Sequence, residues 1–408
     1  MNNSSPSRYF LFLFYLSMLS MLGFIATDMY LPAFKAIESS LQTTPEQVAM
    51  SLTTFLAGLA CGQLLYGPLV NRIGHRNALF AGLILFGAAS VFIGNSDSML
   101  MMNIARFFQA LGACSAAVIW QALVIEQYNA EEAQGIFGNI MPLVALSPAI
   151  APLVGAYVQS HLGWRAIFIT LALLGVMLIV LTMVLVPGRK HVTAVKSEPV
   201  ARSGFLDIVK NRRFLGNVIV FGACSGAFFS YLTLWPIVME QHGYDAAAIG
   251  LSFLPQTAMF VIGGFAGKIL IKKAGADRAL AVLLSLFGLC VAAIVLFTVI
   301  LQLNSIFPLL IAFSVLAAAN GAIYPIVVNN ALQQFSRDAA KAAGVQNFLQ
   351  TGLAFGASYI VAKFATSGAL AIGCGILICA IVVFFGYKMQ LKAQQQSQLD
   401  QAGSHSKA

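Results

Sequence analysis

The sequence predicts an all-α membrane protein, with twelve transmembrane helices in two six-helix bundles around a central cavity. Three observations lead there. Of the 408 residues, 59% are hydrophobic and only 9% are charged, against roughly 25% charged in soluble domains. Apolar runs long enough to cross a ~30 Å hydrocarbon layer recur along the chain. The basic residues fall where they would mark one side of a membrane.

Taken in order, the apolar runs are Tyr9 to Phe34, Val48 to Tyr66, Ala78 to Gly94, Met99 to Gln121, Gly135 to Val158 and Ala166 to Val186. A second set covers Phe214 to Met239, Ile249 to Ile271, Ala279 to Leu303, Ile306 to Val328, Ala342 to Phe364 and Gly368 to Tyr387. The first run is too long for a signal-peptide core and no small-residue cleavage site follows it, so it is expected to be retained. The predicted organisation is a first bundle at 1–187, a cytoplasmic linker at 188–213, a second bundle at 214–390 and a disordered cytoplasmic tail at 391–408. Within the linker, Phe205 to Phe214 is amphipathic, which suits either the membrane surface or a solvated connection. Two sets of six suit a carrier that tilts one bundle against the other.

The net charge of +9 does not call for nucleic acid. With a cytoplasmic N-terminus, every Lys and Arg but Arg106 is assigned to the inner side except Lys35, Arg165 and Lys363, so both termini are expected in the cytoplasm and the surrounding lipid is a partner. The cysteines, Cys61, Cys114, Cys224, Cys290, Cys374 and Cys379, lie inside apolar runs without metal-ligand spacing and read as packing residues. No phosphate-binding glycine loop, metal cluster or nucleophile with a base is present, so neither enzymatic chemistry, a cofactor nor ATP-driven pumping is indicated.

Within the first run Asp28 is the only charge between Tyr9 and Phe34. A charge at that depth costs at least ~2.5 kcal/mol, so it calls for a partner, a water-filled cavity or a proton. Ser17, Ser20 and Phe24 share its helical face. Arg106 is the only basic residue placed deep in a span, and both groups lie about 10 Å from the outer end of their helices at ~1.5 Å per residue. They are candidates for proton coupling, with Asp28 and Arg106 pairing when the acid is ionised. The alternative makes Arg106 a donor to helix carbonyls and puts Asp28 among headgroups.

The second half supplies amides and phenols instead: Asn320 and Tyr324 one helical turn apart, Gln346 and Gln350 likewise with Asn347 beside them, and Gln256 after Pro255. Phe228, Tyr231 and Trp235 recur at i, i+3, i+7 and offer rings on which a planar molecule can stack. Trp120 and Gln121 add to the lining from the first half. A neutral, flat, hydrogen-bonding small-molecule substrate fits this set better than a cation, although each residue taken alone is as well explained by interhelical bonding at ~0.6 kcal/mol.

Three motifs carry a resemblance. The loop Gly67-Pro-Leu-Val-Asn71-Arg72-Ile-Gly74-His-Arg76 has a weak echo in Gly267 to Gly275. Arg106-Phe-Phe-Gln109-Ala-Leu-Gly112 lies in the fourth span and Pro148-Ala-Ile-Ala-Pro152-Leu-Val-Gly155 in the fifth. With Thr27-Asp28-Met-Tyr-Leu-Pro32, the chain resembles the major facilitator superfamily, and within it the twelve-span drug:proton antiporters of the Bcr/CflA type. Ala117 to Val124 and Ala319 to Val328 are most similar to the PunC-like purine nucleoside transporters of that subgroup. The resemblance implies a monomeric, proton-coupled carrier of the bacterial inner membrane, with purine nucleosides as first expectation and export of neutral antibiotics as the alternative. It also implies conformational roles for Gly67, Asn71, Arg72, Gly74, Arg76, Pro148, Pro152 and Gly155. Asn71 stands where the loop motif has an acid, Ala151 where the fifth-span motif favours Gly, and Ser20 where multidrug members carry a second acid.

Overall fold

The computed structural model describes residues 6–127, 130–186 and 205–405. Their regular structure is helical: α1 (Pro6–Asp28), α2 (Phe34–Ser40), α3 (Pro45–Ile73), α4 (His75–Gly94), α5 (Met99–Gln127), α6 (Ala130–Leu162), α7 (Trp164–Leu185), α8 (Phe205–Lys210), α9 (Arg212–Gln241), α10 (Ala246–Ala274), α11 (Ala276–Val295), α12 (Ile306–Leu332), α13 (Ala339–Ala362) and α14 (Ala369–His405). Among the described residues ten helices are long and apolar enough to cross a membrane. The expected fifth and eleventh spans correspond to α6 and α13, of 33 and 24 residues.

Local chemistry sets the ends. Thr44 caps α3 by accepting from the Gln47 N–H at 3.4 Å, and Pro45 follows where its missing N–H costs nothing. Gly74 ends α3 at φ 82°, and Gly275 ends α10 at φ 81°, a region that favours glycine. The echo between the two loops extends to their helices: α3 and α10 each have 29 residues, and α4 and α11 each have 20.

Two expectations are corrected. The first apolar run is not one helix. α1 stops at Asp28, a 3-10 turn follows at Leu31–Ala33, and α2 starts at Phe34. Pro32 lies in that turn, and proline lacks an N–H while disfavouring α geometry in the residue before it. The tail is not disordered through its described length either, because α14 continues as helix to His405 and Gln394 Nε2 donates to Asp277 Oδ2 at 2.8 Å. Its Gln, Lys, Ala and Leu residues are good helix formers, and they extend a helix whose nucleation cost is already met.

The described residues fall into two compact units. One contains α1 to α7 together with Pro236–Thr257; the other contains α8, α9 through Trp235, α10 from Ala258, and α11 to α14. The units do not follow chain order throughout, since the end of α9 and the start of α10 group with the first unit. Of the linker, only its last part is described. There Ile208 of α8 is buried with Phe214, Val218, Ala331, Ala342 and Val345, and Phe335 meets Phe214 edge-on at 5.6 Å. The short helix thus packs one face on the core of its own unit.

Candidate functional site

Two groups of sequence-predicted residues come into view, one in each unit. In the first, Asp28 is the last residue of α1 and only 5% exposed. Because the helix stops there, its final carbonyls lack intrahelical partners. Arg106 of α5, fully buried, meets one of them: Nη1 donates to the Ala26 carbonyl at 3.0 Å and to Gln109 Oε1 at 2.6 Å. A cation at a helix C-terminus is also favoured by the aligned peptide dipoles. The guanidinium lies over two rings, with Cζ 4.1 Å from the Tyr30 centroid and 4.2 Å from that of Phe55. Such stacking suits a planar, weakly hydrated cation and offsets the absence of hydrogen-bond partners at Nε and Nη2 among the described residues.

The support continues outward. Gln109 Nε2 donates to Ser90 Oγ at 2.7 Å, and Ser90 in turn donates to the Phe86 carbonyl at 2.7 Å. Ser51 donates to the Val48 carbonyl, so the Tyr30 hydroxyl donates to Ser51 Oγ, at 2.9 Å. Among the described residues no ion pair within 4.0 Å joins Asp28 to Arg106. Each sequence alternative is half realised: Arg106 donates to a helix carbonyl, while Asp28 is enclosed by protein. Ser17 and Ser20 give their hydroxyl protons to the carbonyls of Leu13 and Ser17, and Phe24 is exposed.

Asp28 is also reached from α6. A Cβ on Gly155 would collide with the Met29 carbonyl, so glycine lets the α6 backbone lie directly on the residue after the acid. One turn earlier, the Pro152 carbonyl and Ala156 are each 3.1 Å from where a Cβ of Gly250 in α10 would stand. Pro148 is part-buried and Pro152 buried. In the loop motif Arg76 Nη2 donates to the Met183 carbonyl of α7 at 3.3 Å, whereas Gly67 and Arg72 are exposed. The side chain of Asn71 lies outside the described residues. Trp120 is buried, Gln121 is exposed, and Gln256 has both amide atoms buried without a partner among the described residues.

In the second unit the aromatic set folds in on itself. Tyr231 stacks on Phe313 at 3.6 Å and 7°, and on Trp235 at 4.7 Å and 19°, while Phe228 lies 6.0 Å from Phe313. The faces expected to receive a flat substrate are engaged by one another. The amide set is arranged differently. Asn320 Nδ2 donates to the Cys224 carbonyl at 3.4 Å, and Ser225 Oγ donates to the Tyr324 hydroxyl at 3.4 Å. Phe221 and Phe260 meet the Tyr324 ring edge-on at 4.9 Å and 5.9 Å. Gln350 of α13 reaches the same stretch of α9, with its Cα 3.2 Å from where a Cβ of Gly222 would stand. Asn320 Oδ1, Gln346 Oε1 and the Tyr231 hydroxyl are buried with no partner among the described residues, and Asn347 is part-exposed. No group of three potential metal ligands occurs among the described residues.

A family model described as the Major Facilitator Superfamily matches residues 16–358. The chain belongs to this superfamily. Its members are membrane transporters, and the all-helical architecture is the major facilitator fold. The bicyclomycin resistance protein homolog of Haemophilus influenzae is 25% identical over 397 residues, covering 94% of this chain and 98% of that protein. The chloramphenicol resistance protein of Pseudomonas aeruginosa is 32% identical over 260 residues, covering 63% of this chain and 61% of that protein. Among solved structures, a bacterial homolog of the human lysosomal transporter Spinster in its inward-facing, occupied conformation superposes with a TM-score of 0.74 at 14% identity, covering 96% of this chain and 98% of that one. The two relatives matched by sequence carry the names of resistance proteins, which do not support the nucleoside likeness.

Sequence reading missed four residues that hold this superfamily member's buried arginine: Tyr30, Phe55, Ser90 and Gln109. Gln109 carried a signal, standing one turn after Arg106 on the same face. Tyr30 and Phe55 carried none, because an aromatic residue that covers a cation is written like one that fills a core.

Proposed function

We propose that this chain is a proton-coupled secondary transporter of the bacterial inner membrane that exports small neutral drugs by alternating access. Asp28 carries the proton and Arg106 is the group that responds to it. The observation that supports this most is the placement of Asp28: a carboxyl enclosed at the break of a membrane helix, held by no hydrogen bond or ion pair among the described residues, one residue from the tight α6 crossing. The charged and neutral forms of such a group differ greatly in solvation cost, so gain or loss of one proton shifts the packing of α1, α5 and α6. The names of the resistance-protein relatives support drugs as cargo, and the distribution of basic residues supports cytoplasmic termini. Proteoliposomes with an imposed pH gradient provide the test. Chloramphenicol or bicyclomycin should move against the proton flow, and Asp28→Asn should abolish that movement while leaving expression and melting temperature intact. Undiminished coupled flux in Asp28→Asn removes the acid from the mechanism.

Purine nucleosides are a second reading, supported by the carboxamides and phenol of Asn320, Tyr324 and Gln350, since Asn and Gln can bond purine edges in pairs. Counterflow with labelled inosine, adenosine and guanosine beside chloramphenicol separates the two. A chain that serves as a membrane sensor gives no flux with either.

A further inference from the structure

We infer that Asn320 and Tyr324 form a recognition pair for a neutral ligand that presents an N–H or O–H donor to Asn320 Oδ1, and that carboxylates are refused there. This rests on the transport reading above and names what one part of the carrier selects. The orientation of the amide is fixed by its surroundings: Nδ2 donates to the Cys224 carbonyl, and reversing the amide would set two acceptors against each other. The free end is therefore Oδ1, on a residue 1% exposed, and it has no partner among the described residues. An unpaired acceptor buried in a membrane bundle has given up its water without return, a loss that the single 3.4 Å bond on the other side of the amide does not make good. A role confined to joining α12 to α9 leaves that cost unanswered; a ligand donor answers it.

Tyr324 completes the pair. Its hydroxyl already accepts from Ser225, so its own proton is uncommitted, and it stands one helical turn from Asn320 on the same face of α12. An acceptor and a donor thus lie side by side, with the rings of Phe221 and Phe260 set edge-on around the phenol. Charge settles the class. No Asp or Glu occurs at 212–235, 258–276 or 278–337, so an ammonium ligand finds no counter-ion within these stretches. A carboxylate would bring its oxygens against Oδ1 and lose its hydration without return. What fits is a neutral amide, lactam or alcohol.

Isothermal titration of the purified full-length protein with chloramphenicol, which carries hydroxyls and an amide N–H, tests this, with inosine as a second neutral donor. Asn320→Leu should weaken both about tenfold, the size of one hydrogen bond, while the ligand-free melting temperature stays the same or rises. Tyr324→Phe, which keeps the ring packing, should weaken them by a smaller factor and decides the matter if Asn320→Leu does not fold. Unchanged affinity in Tyr324→Phe together with a lowered melting temperature and unchanged affinity in Asn320→Leu assigns the pair to helix packing and overturns the inference alone. Failure of both ligands to bind the wild-type chain removes the substrate reading, and the inference with it.

Discussion

Arg106 shows how one residue can hold several elements of a bundle together, and the proposed mechanism gives it a coupling task as well. Its Nη1 closes the end of α1 through the Ala26 carbonyl, its amide partner is Gln109, and its flat face is covered by Tyr30 and Phe55. Lysine offers a point charge without the plane or the fork. Arg106→Lys is therefore expected to lower thermal stability by about 1–3 kcal/mol, as seen in melting curves, and to reduce coupled flux even in the folded fraction. Gln109→Ala leaves the guanidinium short of a partner and should act in the same direction. If Gln109→Ala melts like the wild type and transports normally, the Gln109–Ser90 relay has no part in holding the arginine.

At the scale of the element, the break after Asp28 and the crossing of α6 over it are a single feature. Gly155 lets a backbone stand where any side chain would meet the Met29 carbonyl. Gly155→Ala should cost about 1–3 kcal/mol through forced displacement of one helix, with a melting-temperature drop and slower flux; normal values for both would mean that the crossing yields easily. A separate device sits at α8, where Ile208 inserts among Phe214, Val218, Ala331, Ala342 and Val345. Ile208→Ala should destabilise by about 2–5 kcal/mol. It should also speed limited proteolysis at the linker, whereas an unchanged cleavage pattern would make α8 a passive connection.

For the molecule as a whole, export coupled to protons requires that flux in proteoliposomes follow the imposed pH gradient and collapse when a protonophore dissipates it; flux that persists in the protonophore would separate transport from proton movement. Much of this architecture was legible in the chain. Long apolar runs, the linker between two sets and the charge asymmetry announce a membrane bundle because lipid permits little else than helices whose backbone is satisfied internally. The repeat was faintly legible too, through Gly74 and Gly275, since only glycine accepts their backbone angles without strain. Asp28 and Arg106 stood out because charge is rare at that depth. The sequence alone thus determined the class, the apolar runs, the buried acid and the buried base. Tertiary structure alone decided that the base grips a helix end and two rings, that the stripe of Phe228, Tyr231 and Trp235 packs against Phe313, and that among the described residues the base has no close ion pair to the acid and the Asn320 oxygen no partner. The reason is physical: composition and period report which groups leave water, whereas the partner each group meets depends on distances between helices that are far apart in the chain.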